Sequence, residues 1–259
     1  MKIAIVTGAS SGIGREFAKY IAVKARDLDE IWVIARRENR LVQLKKDIRI
    51  PVRTFVYDLA LPQSIADFKT TLAQLKPDVH LLVNCAGYGK FGSYAEISEE
   101  QALGMIDLNC RALVAMTNSV LPYMKRGAHI LQMASTSSFQ PLPDMAVYAA
   151  SKAFVVSYSR ALNFELKPRG ITCTAVCAGW MKTEFFETAK ATANPKAVSN
   201  FAFIKEPAEV VAKALYDTYK RKDISVCGCF NKLHRLTAKL LPNRAVMKVW
   251  TTAKKKEHL

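Results

Sequence analysis

Apolar residues along this chain fall in short unbroken runs rather than in alternation. Six runs are "KIAIVT" (2–7), "IWVIA" (31–35), "VRTFVY" (52–57), "VHLLVN" (79–84), "AHILQM" (128–133) and "ITCTAV" (171–176), and "DISVCG" (223–228) is a seventh. A strand that is apolar throughout is buried on both faces, which is the condition of strands in parallel sheets. Between the runs the apolar spacing becomes helical, over 14–24, 38–47, 62–75, 99–124 and 146–166. Strands alternating with helices predict an α/β fold: a doubly wound, seven-stranded parallel sheet with helices on both faces, in a single domain. No repeat, low-complexity linker or change of composition interrupts the chain before Gly228. Residues 1–228 are therefore expected to form one domain and 229–259 an extension.

Composition narrows the class. The chain has 259 residues, half of them hydrophobic, enough for a sizeable core. The six cysteines, Cys85, Cys110, Cys173, Cys177, Cys227 and Cys229, form no Cys-x-x-Cys pair, and four lie in apolar runs. That usage predicts buried free thiols in a reducing compartment. The opening run reaches a glycine turn within eight residues, too short for a signal peptide, and no stretch is long and apolar enough to span a bilayer. A cytoplasmic protein is the expectation. His80, His129, His234 and His258 are too scattered to suggest a metal site. The net charge of +16 favours acidic partners, such as phosphorylated cofactors or anionic lipid. With no aromatic-interleaved basic repeat and no zinc-finger spacing, nucleic acid binding is not expected.

In doubly wound sheets ligands bind beyond the carboxyl ends of the strands. The first such end reads "TGASSGIG", with Gly8, Gly12 and Gly14 between a strand and a helix. Glycines there permit a tight turn and close approach of the backbone to a pyrophosphate, and the helix N-terminus offers free N–H groups to phosphate charge. A second motif is "VYAASKAF", which holds Tyr148 and Lys152 four residues apart. On a helix that spacing places a phenol and an ammonium on one face, and a neighbouring cation favours the phenolate. The pattern alone is weak. Tyr20 with Lys24 and Tyr216 with Lys220 repeat it, and both have an ordinary reading on an amphipathic helix.

Taken in order, the motifs resemble those of the short-chain dehydrogenase/reductase family in its short single-domain (Rossmann) form. The G-x-x-x-G-x-G spacing of 8–14, "NCAG" at 84–87, Asn109, Ser135 thirteen residues before Tyr148, and "AGWMKT" at 178–183 carry the resemblance over roughly residues 1–228. Two positions depart from the family's pattern, since Cys85 replaces a second asparagine and Ala178 replaces a proline. The resemblance implies an oxidoreductase that interconverts a ketone and a secondary alcohol. Its catalytic residues would be Tyr148 as general acid or base, Lys152 lowering the tyrosine pKa and holding the cofactor ribose, Ser135 on the substrate oxygen, and Asn109 positioning water for a proton relay. It also implies cofactor contacts at Gly8, Ser10, Ser11, Gly12, Ile13, Gly14, Asp58, Leu59, Asn84, Ala86, Gly87, Tyr148, Lys152, Gly179, Met181 and Thr183, and a homodimer or homotetramer. The rival is a non-catalytic dinucleotide sensor or membrane-surface protein on the same fold. Retention of all four catalytic residue types argues against the sensor, and only charge motivates the membrane-surface reading.

Cofactor choice is read at the end of the second strand, "VIARR". NAD-preferring enzymes place a carboxylate there for the ribose 2′-hydroxyl, whereas Ala35 is followed here by Arg36 and Arg37. A guanidinium suits a 2′-phosphate, so NADP(H) is expected, with Arg36 the main contact. The substrate loops at 87–94, 139–145 and 184–204 supply Tyr88, Phe91, Phe139, Leu142, Met145, Phe185, Phe186, Phe201 and Phe203. They favour an apolar carbonyl or alcohol, such as a steroid or a 3-oxoacyl compound. Beyond Gly228, Leu233, Leu236, Leu240 and Leu241 recur at helical spacing among Lys232, Arg235 and Lys239, and eight basic residues against Glu257 give 229–259 a net +7. Such a segment is expected to cover the pocket or a subunit interface, with weak contact to a membrane surface.

Overall fold

The computed structural model describes residues 1–25, 27–198 and 203–255. Seven strands form one wholly parallel sheet: β1 (Lys2–Thr7), β2 (Glu30–Ala35), β3 (Val52–Val56), β4 (Asp78–Asn84), β5 (His129–Met133), β6 (Thr172–Cys177) and β7 (Ile224–Val226). Their order is β3-β2-β1-β4-β5-β6-β7. The chain reverses direction across the sheet between β1 and β4, where the crevice of a doubly wound sheet opens.

Alternating strand residues feed two cores. In β1, Ala4 and Val6 face α1 (Gly12–Lys24), α2 (Glu38–Asp47) and α8 (Pro207–Tyr219), joining Phe17, Ile21, Leu44 and Val211. Ile3 and Ile5 point the other way, to α3 (Pro62–Leu75), α5 (Leu113–Val120) and α6 (Ala146–Glu165), joining Phe68, Leu72, Met116 and Leu162. Each such side chain contributes roughly 1.5–3 kcal/mol when fully buried. This two-sided burial is why the strands read as unbroken apolar runs.

Local chemistry sets the helix starts. Pro62 and Pro207 open α3 and α8, where a missing N–H costs nothing. Ser98 and Gln101 form a reciprocal capping box at the head of α4 (Glu99–Ile106). The segment expected to be one helix over 99–124 is interrupted. A π-helical turn, Asp107–Ala112, separates α4 from α5, and a 3-10 turn, Leu121–Tyr123, follows. The substrate loop contains a short helix, α7 (Phe185–Lys190). The extension forms a helical hairpin, α9 (Cys229–Leu240) and α10 (Asn243–Lys255), broken at Pro242. Of the positions singled out in the sequence, Phe201, Glu257 and His258 lie outside the described residues. Among the described residues no helix is long and apolar enough to cross a membrane.

Candidate active site

The strand ends meet almost backbone to backbone. Gly8 follows β1 with φ +69°, and a Cβ there would lie 2.8 Å from the Ala86 nitrogen. A Cβ on Gly14 would collide with the Gly8 carbonyl. Only glycine meets both demands. The Thr7 hydroxyl oxygen accepts from the Cys85 and Ala86 N–H groups, both at 3.1 Å, and stitches β1 to β4. The Gly8 N–H donates to the Ile34 carbonyl at 2.8 Å, tying the loop to β2.

A cleft of about 350 Å³ opens above these strand ends. Gly8, Ser10, Ser11, Gly12, Ile13, Gly14, Arg36, Asp58, Leu59, Ala86, Gly87, Gly179, Met181 and Thr183 line it, together with Ser135, Tyr148 and Lys152. Asn84 and Asn109 do not. Asn84 is buried beneath, donating to Thr117 Oγ1 at 3.1 Å and to Gln132 Oε1 at 2.9 Å. Its side chain braces β4 against β5 and α5 rather than facing the cleft.

Tyr148 stands in the first turn of α6 and is only 6% exposed. Its ring lies 5.5 Å from that of Phe185. Burial pushes the phenol up to about 12, while the hydrogen-bonding Ser135 hydroxyl pulls the other way. Lys152 follows one turn later, its Nζ 5.8 Å from the Tyr148 ring centroid. That Nζ donates to the Met133 carbonyl at 2.7 Å, and burial brings the ammonium down to about 8. The expected lowering of the phenol rests on Lys152 together with the charge of a bound nicotinamide. In the protein alone burial outweighs any such effect, and Tyr148 remains a protonated phenol at neutral pH. Ser135 caps the 3-10 turn Thr136–Phe139, its hydroxyl accepting from the Ser137 N–H at 3.2 Å. The Thr136 N–H donates to the Ala178 carbonyl at 2.9 Å, which fixes this loop against β6.

Asn109 lies in the π-helical turn, an irregularity frequent at functional sites. Its Nδ2 donates to the Tyr88 carbonyl at 2.9 Å and to Ser151 Oγ at 3.0 Å, and its Oδ1 accepts from the Tyr88 N–H at 3.0 Å. Both amide hydrogens are engaged, so one Oδ1 lone pair remains for the expected water.

At the other end of the cleft the two arginines separate. Arg36 extends toward Asp58, with Nη1 3.5 Å from Oδ2, and its side chain is 71% exposed. Arg37 turns into the glycine loop. Its Nη2 donates to Ser11 Oγ at 2.6 Å and Ser10 Oγ at 3.2 Å, and its Nη1 lies 2.9 Å from Glu184 Oε2. The sequence favoured Arg36 as the main anion contact; the geometry gives Arg37 the more convergent position. The guanidinium pair of Arg37 and Arg40 holds the Glu184 carboxyl below the usual range.

The substrate side is aromatic. Tyr88, Phe91, Leu142, Met145, Phe185 and Phe186 gather around Tyr148, as expected from the loops, and Trp180 joins them. Sequence reasoning missed Trp180, although it follows Gly179 within "AGWMKT". Phe139 and Phe203 go elsewhere, Phe139 against His234 and Phe203 against Phe230.

The donor set fits a nicotinamide dinucleotide: a loop whose Gly8 and Gly14 have no room for a Cβ, serine hydroxyls beside a guanidinium, and a buried ammonium at the far end. Comparisons agree. A family model for short chain dehydrogenases matches residues 2–194. A putative ketoacyl reductase of granaticin polyketide synthesis from Streptomyces violaceoruber is 36% identical over 192 residues, 71% of this chain and 70% of its own. A very-long-chain 3-oxoacyl-CoA reductase from Pyrenophora tritici-repentis is 34% identical over 208 residues, 74% of this chain and 60% of its own. A solved short-chain dehydrogenase from Sphingobium yanoikuyae, in complex with NADPH, superposes with a TM-score of 0.74 at 27% identity, covering 93% of this chain and 95% of that one.

Proposed function

This chain belongs to the short-chain dehydrogenase family of oxidoreductases, and from that premise we propose that it reduces an apolar ketone, of the 3-oxoacyl or steroid kind, with NADPH. The observation that carries the reading is that buried Tyr148 and Lys152 line one cleft with Ser135 and the glycine loop. A bound nicotinamide supplies or accepts the hydride. Tyr148 protonates the substrate oxygen as negative charge develops on it, and its raised pKa keeps the proton available at neutral pH. Ser135 donates to the same oxygen and stabilises the transition-state charge. Lys152, anchored on Met133, holds the ribose hydroxyls and resupplies the proton. Asn109 fixes the 87–89 backbone through Tyr88, where a Cβ on Gly87 would already touch Asn109 Oδ1 at 2.7 Å. Arg37 with Ser10 and Ser11 takes the 2′-phosphate, and Asp58 the adenine side.

The aromatic wall supports an apolar substrate, and the two reductases of oxoacyl compounds among the relatives favour that class. The test is a panel of 3-oxoacyl thioesters, steroid ketones and small ketones, with NADPH absorbance followed against NADH. Turnover of an apolar ketone with NADPH preferred is the expected result. Turnover with NADH preferred overturns the cofactor reading, and binding of NADPH without turnover of any carbonyl favours a dinucleotide sensor.

A further inference from the structure

The two faces of the α9–α10 hairpin have different partners. The inner face is held by the domain. Trp250 Nε1 donates to the Pro143 carbonyl at 3.0 Å, and His234 Nε2 is 2.8 Å from Gln140 Oε1. Ala238 and Val246 are buried, and Asn231 lies against Gly179. At 100° per residue, Leu233, Leu236 and Leu240 form one stripe on the side of α9 opposite Ala238. All three are exposed, Leu240 by 72%. Leu241 and Val249 are exposed as well. Such a stripe is a standing cost in water unless something covers it.

Charge identifies the cover. Residues 229–255 contain no acidic residue and seven basic ones. Lys232, Arg235 and Lys239 flank the leucine stripe on one side. Lys232 and Arg235 also wall a groove beside β7, which holds Arg160, Lys167, Lys213, Arg221 and Lys222 as well. Asp217 there is matched by Lys213 and Lys222, and Asp223 by Arg160. Among the described residues Lys167, Arg221, Lys232 and Arg235 form no ion pair. An apolar stripe bordered by unneutralised cations is complementary to acyl chains beneath anionic headgroups. A second copy of this surface would bring its own cations against these, and like charges repel.

We propose that α9 and the basic groove beside it dock this protein on an anionic bilayer surface, with the leucine stripe entering the headgroup boundary. Because the inner face of the hairpin grips the 140–143 loop, docking sets the mouth of the apolar cleft near the membrane. Docking does not depend on the reaction proposed above, and it is read without turnover.

The experiment is co-sedimentation of the full chain with vesicles of phosphatidylcholine alone and of phosphatidylcholine mixed with phosphatidylglycerol, at low and high salt. Pelleting with the anionic vesicles only, weakened by salt, is expected. Leu236→Asp with Leu240→Asp should reduce that binding at least about tenfold, and Lys232→Glu with Arg235→Glu should do the same. NADPH titration and thermal melting check that each variant is folded. The proposal is overturned if anionic vesicles do not pellet the protein, or if the aspartate variant binds them as tightly as wild type. It is also overturned if that variant turns a dimer into a monomer in light scattering without changing vesicle binding, since the stripe would then be a subunit contact.

Discussion

Arg37 and Glu184 stand 147 residues apart in sequence and 2.9 Å apart in space, joining the end of β2 to the head of the substrate loop. Both side chains are partly exposed, so the pair adds only about 0–1 kcal/mol to stability. Its significance is competitive. On the proposed reading, the guanidinium that would meet a 2′-phosphate is already shared with a carboxylate, which the phosphate must displace or share.

Removing that competitor should help the phosphorylated cofactor alone. In Glu184→Gln the NADPH dissociation constant is expected to fall several-fold while that for NADH hardly moves. Arg37→Ala should raise the NADPH constant by about tenfold or more, the loss of a charge-assisted bidentate contact. Arg36→Ala should have the smaller effect. Fluorescence titration of both cofactors decides this, and a larger loss in Arg36→Ala would restore the order read from sequence.

Tyr148→Phe keeps the ring against Phe185 and deletes the transferable proton. Hydride transfer in a single turnover should slow by about a thousandfold or more, with NADPH affinity unchanged. A near-normal rate would remove Tyr148 from the chemistry.

Lys152 gives a prediction whose sign follows from its burial. Its folded pKa of about 8 lies below the ordinary 10.5. Between those values the unfolded chain carries the proton and the folded one does not, so stability from this group rises with pH across that window. Below pH 8 the whole penalty is present. Lys152→Met should therefore gain on the order of 2 kcal/mol from relief of that penalty at pH 7, less about 1 kcal/mol for the unpaired Met133 carbonyl. The gap between variant and wild type should narrow as pH rises toward 10. Urea midpoints at pH 7 and pH 9.5 measure it, and a gap independent of pH would show that Lys152 titrates normally.

Asp217 lies in the last turn of α8, its side chain 2% exposed. Burial acts to raise its pKa, but hydrogen bonds from Lys213, Lys222 and Ser225 outweigh that and hold it low. Its contribution is complete above the ordinary carboxylate pKa and is lost as pH falls below it. Asp217→Asn removes a buried carboxylate that accepts three hydrogen bonds, and because the released lysines reach solvent it should cost about 2 kcal/mol in denaturant unfolding, while NADPH affinity is retained. A loss below about 1 kcal/mol would mean that the network is already solvated.

The sheet was legible because its strands, the edge strand β3 apart, are buried on both faces, and the strand ends fall within two residues of the apolar runs. The dyads were not legible singly. Tyr216 and Lys220 also bring a cation over a ring, at 5.9 Å, on the same i,i+4 geometry as Tyr148 and Lys152. Tyr216 is 57% exposed, whereas Tyr148 is enclosed. Spacing supplies adjacency, and only the fold supplies the low-dielectric setting that makes adjacency chemical. The π-helical turn at 107–112 left no trace, since inserting one residue into a helix changes the phase of side chains without changing their type. The sequence reading placed Arg36 before Arg37, and residue type alone gives no basis for that order, for a related reason. Neighbours in an extended segment point to opposite sides, and which side holds the loop depends on the register of β2 against β1.

The contact of Gly8 and Gly14 with neighbouring main chain bears on how this protein can diverge. A position with no room for a Cβ has no vocabulary for selectivity, and a substitution there is read as a folding defect before it is read as a change of ligand. Preference must then be written at the margins, in the side chains at 35–37 and 183–190 and in the loops over Tyr148. The centre of the cleft is conservative by geometry, and the periphery is where an engineer, or a lineage, has latitude.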